Sequence, residues 1–438
     1  MQHKHMLTLA AAVLALASCS TVADKEEAAK DKPPPDPDYE VLRVGFAKTD
    51  ITPGRQHSLG GYGFRKELPE GNTGVHDPIY VRALAIRHYR RVAVLVSLDL
   101  GGMGSELARE YRGQIARKLS TPTNNVIISC THSHSAPTLL TPELAKKWEI
   151  EYDTNSPPVS MKYTEELPTK IMETVRRAES LTYPVTVWVR EAPFALAYNR
   201  RAKTDRGLKN CWEPQQFPNR QPVVPADITC SVLMFDQAGG PRRYLLWSIG
   251  AHPTVLGQTS RIVSADYPGV ACSLIDQYVP GARSMFVLGA AGDTQPWIAT
   301  QEDPAQLLPV ARAAASYVAL LSQAGRPVPV KPPFFKCAGE TVKLGEEELD
   351  ITVWKIGSVW IVATPGEMFS SLSAKLRKKL KGEVILATLS NGYGGYLPAK
   401  SDYADGGYEV ETAKRQKIEA GAGEKLIDRI IALAKTLE

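Results

Sequence analysis

The sequence predicts an α/β fold, a single large domain with mixed β-sheets flanked by helices. Three observations carry this reading. Nearly continuous apolar runs of strand length, such as residues 92–98 and 285–288, mark strands buried on both faces. A segment with helical spacing, 106–119, lies between strand 92–98 and the strand that begins at Val126, which is the order of a strand–helix–strand unit. Strands 349–356 and 359–364 are joined by too short a link for a crossover, so the sheets are not purely parallel.

In chain order, residues 42–51 alternate as a strand and turn at Thr52-Pro53-Gly54. Gly60-Gly61-Tyr62-Gly63 follows as a loop that can approach other groups closely. Strands are expected at 79–87, 92–98, 185–190, 229–235, 244–249, 285–288, 340–344, 349–356, 359–364 and 384–389. Helices are expected at 106–119, 163–179, 268–278, 304–323, 369–380 and 425–437, the last with Leu426, Ile427, Ile430, Ile431 and Leu433 on one stripe.

Residues 1–18 read as a signal peptide. Lys4 and His5 precede an apolar run too short to span a bilayer, and Leu16-Ala17-Ser18-Cys19 resembles a bacterial lipobox with Cys19 as the lipidated residue. A plain secretory signal is the rival. Ser20 after the cysteine favours the outer membrane, so the expected location is the bacterial cell envelope. Residues 19–40 are a charged and Pro-rich tether, Pro33-Pro34-Pro35 at its centre, and 41–438 is the remaining large domain. The net charge of +5 is spread without a Lys/Arg block, which argues against a nucleic-acid partner. Apart from Cys19 there are five cysteines and no CxxC, so a structural zinc site is not expected. Cys211 and Cys230, flanking a Pro/Gln-rich loop, are the expected disulfide if one forms.

Chemistry concentrates at strand ends. The run from Val126 enters Thr131-His132-Ser133-His134-Ser135 and stops at Pro137; on a strand, positions i and i+2 share a face, so both imidazoles aim at one spot. Either they bind a metal or act in catalysis, or each is satisfied by backbone. His252, Glu367, Asp293, Tyr393 and Tyr396 also stand where an apolar run empties into a loop.

Together these segments resemble the neutral/alkaline non-lysosomal ceramidase family, its N-terminal catalytic domain. The resemblance is carried by residues 45–54, Gly74-Val75-His76, Tyr80-Val81-Arg82-Ala83, the His132/His134 segment, Asn199-Arg200, Gly292-Asp293, Pro365-Gly366-Glu367 and the stretch from Tyr396 to Tyr408. It implies one Zn2+ held by His132, His252, Glu367 and Tyr396, an open catalytic set. It implies further that His134 carries a proton, that Arg200 with Asn199 contacts substrate, and that Tyr408 polarises the substrate carbonyl. The implied partner is an acylated small molecule or lipid, cleaved at an amide by metal-activated water.

Two departures bear on the substrate. The family has Ser in the turn that here reads Gly292-Asp293-Thr294-Gln295-Pro296, so Gln295 stands in a catalytic position but cannot relay a proton. The chain also stops where longer members continue into an immunoglobulin-like domain, which marks the short form. The remaining alternatives are a zinc hydrolase of esters or non-lipid amides, and a surface binding protein that has lost catalysis. A serine hydrolase would need Gly-x-Ser-x-Gly, and a metallo-β-lactamase an Asp where Ala136 stands.

Overall fold

The computed structural model describes residues 41–63, 71–147, 149–151, 154, 158–205, 207–213, 221–329 and 335–438. The expected signal peptide and tether lie outside the described residues. Leu42–Glu438 forms one compact unit.

Largely continuous apolar runs, buried on both faces, build two sheets that share a core. The first is assembled from β1 (Arg43–Asp50), β2 (Tyr80–His88), β3 (Arg91–Leu98), β4 (Val126–Cys130), β5 (Tyr183–Pro193), β6 (Thr229–Gln237), β7 (Arg243–Ile249) and β8 (Ala282–Leu288). Its order is β8-β7-β6-β5-β1-β2-β3-β4, antiparallel except for the outermost pairs β7–β8 and β3–β4. The second contains β9 (Phe335–Leu344), β10 (Glu347–Ile356), β11 (Val359–Ala363) and β12 (Val384–Ala387), with β11 and β12 parallel. Alternate residues of each strand point to opposite layers. Leu95, Ile127, Phe235 and Leu246 of the large sheet meet Trp354, Ile361 and Ile385 of the small one.

Helices cover both outer faces. α1 (Ser105–Lys118) and α2 (Val159–Ser180) pack Tyr111, Ile115, Leu167 and Ile171 on Val94, Val96 and Ile128. α3 (Asp266–Tyr278) and α4 (Leu307–Gln323) pack Ala271, Ile275, Ala314 and Val318 on Leu245, Trp247 and Phe286. On the small sheet, α5 (Ser370–Lys379) packs Leu372 and Leu376; α6 (Tyr408–Arg415) and α7 (Ala422–Lys435) follow, Leu426 and Ile430 of α7 closing that core. The result is four layers, helix–sheet–sheet–helix, and the expected α/β class with mixed sheets holds. The β3–α1–β4 crossover is the expected strand–helix–strand unit. α6 was not anticipated. Cys211 and Cys230 are free and sit in separate clusters, so the expected disulfide does not form.

Candidate metal centre

The site is built where three strands, each from a parallel pair, come to an end. β4, β7 and β11 empty into His132, His252 and Glu367 respectively. The sequence reading places the two histidines of the first segment on a strand, but the strand ends at Cys130. His132 has φ of +69°, an uncommon backbone for a residue with a side chain. Thr131 N and His132 N bond Leu98 O and Leu100 O, which holds the bend. Convergence of the imidazoles therefore comes from this kink and not from strand alternation.

Three Nε2 atoms meet. His134 Nε2 lies 3.2 Å from His132 Nε2 and 3.2 Å from His252 Nε2. All three rings are buried, and their ligand atoms lie within 4.8 Å of one another. The tautomers follow from the other nitrogens. His132 Nδ1 donates to Gly101 O and His252 Nδ1 donates to Ala291 O at 3.0 Å, so each Nε2 presents a lone pair. His252 is held neutral: burial, then Arg200, His132 and His134, push its pKa well below that of a free imidazole.

Glu367 closes the cluster. The turn before it uses Gly366 at φ +96°, where a Cβ would lie 2.5 Å from Gly395 O. Residues Glu367–Met368 pair in parallel with Tyr396–Leu397. Tyr393 donates to Glu367 Oε1 at 2.8 Å. Oε2 is buried without a hydrogen bond and faces His132 Nε2 at 3.6 Å and His252 Nε2 at 3.9 Å. Burial raises this carboxyl's pKa, but His132 when protonated, then Arg200 and the Tyr393 hydroxyl, outweigh it, and the net shift is downward. A carboxylate and imidazole lone pairs aimed at one point repel one another unless a cation sits among them. Nitrogen ligands about 2.0–2.1 Å from a tetrahedral ion stand about 3.3–3.4 Å apart, close to the spacings here. His132, His134 and His252 could hold a metal ion, with Glu367 beside them.

The Gly60–Gly63 loop closes over His134. Gly61, φ +86°, packs so tightly that a Cβ would fall 2.3 Å from His134 Cγ, and the Tyr62 ring stands edge-on to the imidazole at 4.8 Å. Tyr396 is buried and its hydroxyl accepts from Arg200 Nη2 at 3.2 Å. Tyr408, half-exposed, meets Tyr396 edge-on at 5.7 Å. Burial, then the Glu367 charge, raise the pKa of both phenols, Tyr396 the more.

Asn199 and Arg200, the expected substrate contacts, are both engaged inside the protein. Asn199 Nδ2 donates to Asp293 Oδ2 at 2.7 Å and its Oδ1 accepts from Arg201 N at 2.9 Å. Arg200 is buried and bonded to Glu409, Gly292, Thr294, Gln295 and Tyr396. Gln295 is buried, and its Oε1 accepts from Arg200 Nη1 at 3.5 Å. Residues absent from the expected site are Tyr393 and Glu409. Glu409 is fully buried on α6 against Arg200 Nε at 2.7 Å and Arg201 Nε at 3.6 Å. Tyr393 was legible as a strand-end phenol; Glu409 left no signal, since its arginine partners lie some two hundred positions earlier.

Residues 42–326 match the family described as neutral/alkaline non-lysosomal ceramidase, N-terminal. The chain belongs to that family. A neutral ceramidase of Drosophila pseudoobscura pseudoobscura is 34% identical over 102 residues, which is 22% of this chain and 14% of that protein. The fold is similar to a solved ceramidase complexed with C2 (TM-score 0.72, 15% identity, 90% of this chain and 74% of that one). It is equally similar to the neutral ceramidase from Pseudomonas aeruginosa (TM-score 0.70, 16% identity, 91% and 74%). Those likenesses cover more of the chain than the family match does.

Proposed function

We propose that this ceramidase-family chain is a zinc-dependent amidohydrolase acting on ceramide-like N-acyl lipids. The observation that carries the reading is the Glu367 Oε2 atom, buried without a hydrogen bond and aimed at imidazole lone pairs. His132, His252 and Glu367 would hold the ion, with Tyr396 completing the set. Zinc there supplies Lewis acidity and brings the pKa of water toward neutrality. The chain's own residues do the rest. Tyr408, at the mouth, donates a hydrogen bond to the amide oxygen as negative charge develops on it. His134 takes the proton of the attacking water at Nε2 and returns it to the departing amine. Its ring is steadied by Gly61 and Tyr62, whereas those of His132 and His252 are pinned through Nδ1 by backbone carbonyls.

The test is elemental analysis of the purified protein together with turnover of fluorogenic ceramides, N-acyl amino acids and acyl esters, with and without chelator. About one zinc per chain and chelator-sensitive amide cleavage are expected. Bound zinc with no turnover of any substrate would favour the binding-protein reading. Gln295 in place of Ser should leave ceramide a weak substrate, and Gln295→Ser should raise its cleavage. We also propose lipidation at Cys19 and an outer-membrane location; Cys19→Ala should move the protein from the membrane pellet to the soluble periplasmic fraction.

A further inference from the structure

Arg200 is out of reach as a receptor for anions. A guanidinium has five N–H donors, and each finds an acceptor inside the protein. Nε donates to Glu409 Oε1 at 2.7 Å. Nη1 donates to Thr294 O at 3.3 Å and Gln295 Oε1 at 3.5 Å. Nη2 donates to Gly292 O at 2.9 Å and Tyr396 OH at 3.2 Å. His252 Nδ1 lies 3.4 Å from Nη1, but it carries the proton given to Ala291 O and cannot accept another. Glu409 balances the charge within the same network.

The face of the guanidinium is covered as well. The Trp212 indole lies over it, 4.8 Å from the ring centroid. The indole is held from its neighbour: Cys211 N donates to Arg200 O at 2.7 Å, and Tyr198 OH donates to Cys211 O at 2.8 Å. Trp212 keeps 37% of its surface exposed and stands edge-on to Tyr408, 49% exposed, at 5.7 Å. Tyr408 in turn meets Tyr396. A molecule approaching Tyr396 along this wall meets indole and phenol, whose faces carry negative quadrupole density.

We propose that Trp212 is a specificity-determining residue: by capping Arg200 it selects substrates whose group beside the scissile amide is uncharged and apolar, and it rejects those with a carboxylate there. This rests on the amidohydrolase reading. With the indole in place a carboxylate meets an aromatic face instead of the guanidinium charge, and it loses hydration against that face. Removing the indole opens that face of Arg200 to an anion.

The experiment is a matched pair with one acyl chain, N-dodecanoyl-butylamine and N-dodecanoyl-β-alanine, given to the zinc-loaded protein. The native chain should favour the butylamide in kcat/KM by at least about tenfold. Trp212→Ala should shrink that ratio by about tenfold, the scale of one aromatic–cation contact, while Trp212→Phe should keep most of it. Calorimetric binding of the same pair to the zinc-loaded His134→Ala protein, with and without Trp212→Ala, gives the ratio without turnover. Absence of turnover with the binding ratio intact would therefore sink the hydrolase reading and leave this inference standing. A native preference for the β-alanine amide, or a ratio unmoved by Trp212→Ala, would overturn it.

Discussion

The large sheet delivers imidazoles to the candidate centre and the small sheet delivers a carboxylate and phenols, and the two sets are held by different means. On the large-sheet side, His132 and His252 are oriented by the carbonyls of Gly101 and Ala291, groups that no side-chain substitution removes. On the small-sheet side, Glu367 is oriented by a single hydroxyl, that of Tyr393. Beside the apolar core the two sheets share lies an ionic joint: Arg200 and Arg201, next to the strand Ala197–Asn199, grip Glu409 and Asp402 around α6. The difference teaches that one half of the site is fixed by the fold itself, while the other half can be loosened one atom at a time.

The widest break comes from removing a donor on either side. His252→Ala and Glu367→Ala should each abolish stoichiometric metal binding and chelator-sensitive turnover, because a catalytic set has no spare protein ligand. His134→Ala should retain the metal while turnover falls by roughly two to four orders of magnitude. Elemental analysis separates these outcomes; loss of metal from His134→Ala would make it a ligand and not a proton carrier.

The joint should break next. Glu409→Ala leaves two buried guanidinium groups facing a void, and the expected cost is about 3–5 kcal/mol of unfolding free energy. Denaturant titration measures it, and a cost under about 1 kcal/mol would mean that α6 is held by packing alone. A smaller effect is expected at the hydroxyl lock. Tyr393→Phe keeps the ring but frees Glu367 Oε1, and metal affinity should drop roughly 10–100-fold, in line with other outer-sphere partners. Competition with a chromophoric chelator reads this directly, and unchanged affinity would remove the asymmetry between the halves.

Much of this was legible in the sequence because alternation and helical spacing report burial. Residues 92–98 and 359–364 had to be strands with both faces covered, and two stacked sheets between helix layers satisfy that. His132, His252 and Glu367 stand where apolar runs end, and the chain brings their side chains together. The inward aim of His132 was not legible, since it depends on a left-handed backbone that no residue pattern announces. The setting of Arg200 was not legible for a related reason. Its five acceptors, drawn from Gly292, Thr294, Gln295, Tyr396 and Glu409, come from segments far apart in the chain. Helix α6 was missed because it is short, charged and preceded by Gly406-Gly407, which reads as loop.

The last effect is read against pH and concerns a carboxyl on the large-sheet side. Asp266 opens α3 at φ +52° and is fully buried. Its carboxylate accepts from Val255 N at 3.3 Å, Leu256 N at 3.2 Å and Tyr267 N at 2.7 Å. Leu256 O then takes the Tyr62 hydroxyl, and Tyr62 is the ring against His134, so this acid steadies the large-sheet side from behind. Burial pushes its pKa up to about 7 from the usual 3.8, against the pull of the three N–H groups. The folded chain therefore keeps a proton that the unfolded chain has released. Stability from this group is fully present below about 4, declines as pH rises from about 4 to about 7, and is level above that. Asp266→Asn cannot ionise, so the difference in Tm between the native chain and the variant should narrow steadily across that window. It should not close completely, because the amide offers one oxygen where the carboxylate offers two. A difference that stayed constant from acid to neutral pH would show that Asp266 is ionised throughout, its three backbone donors outweighing burial.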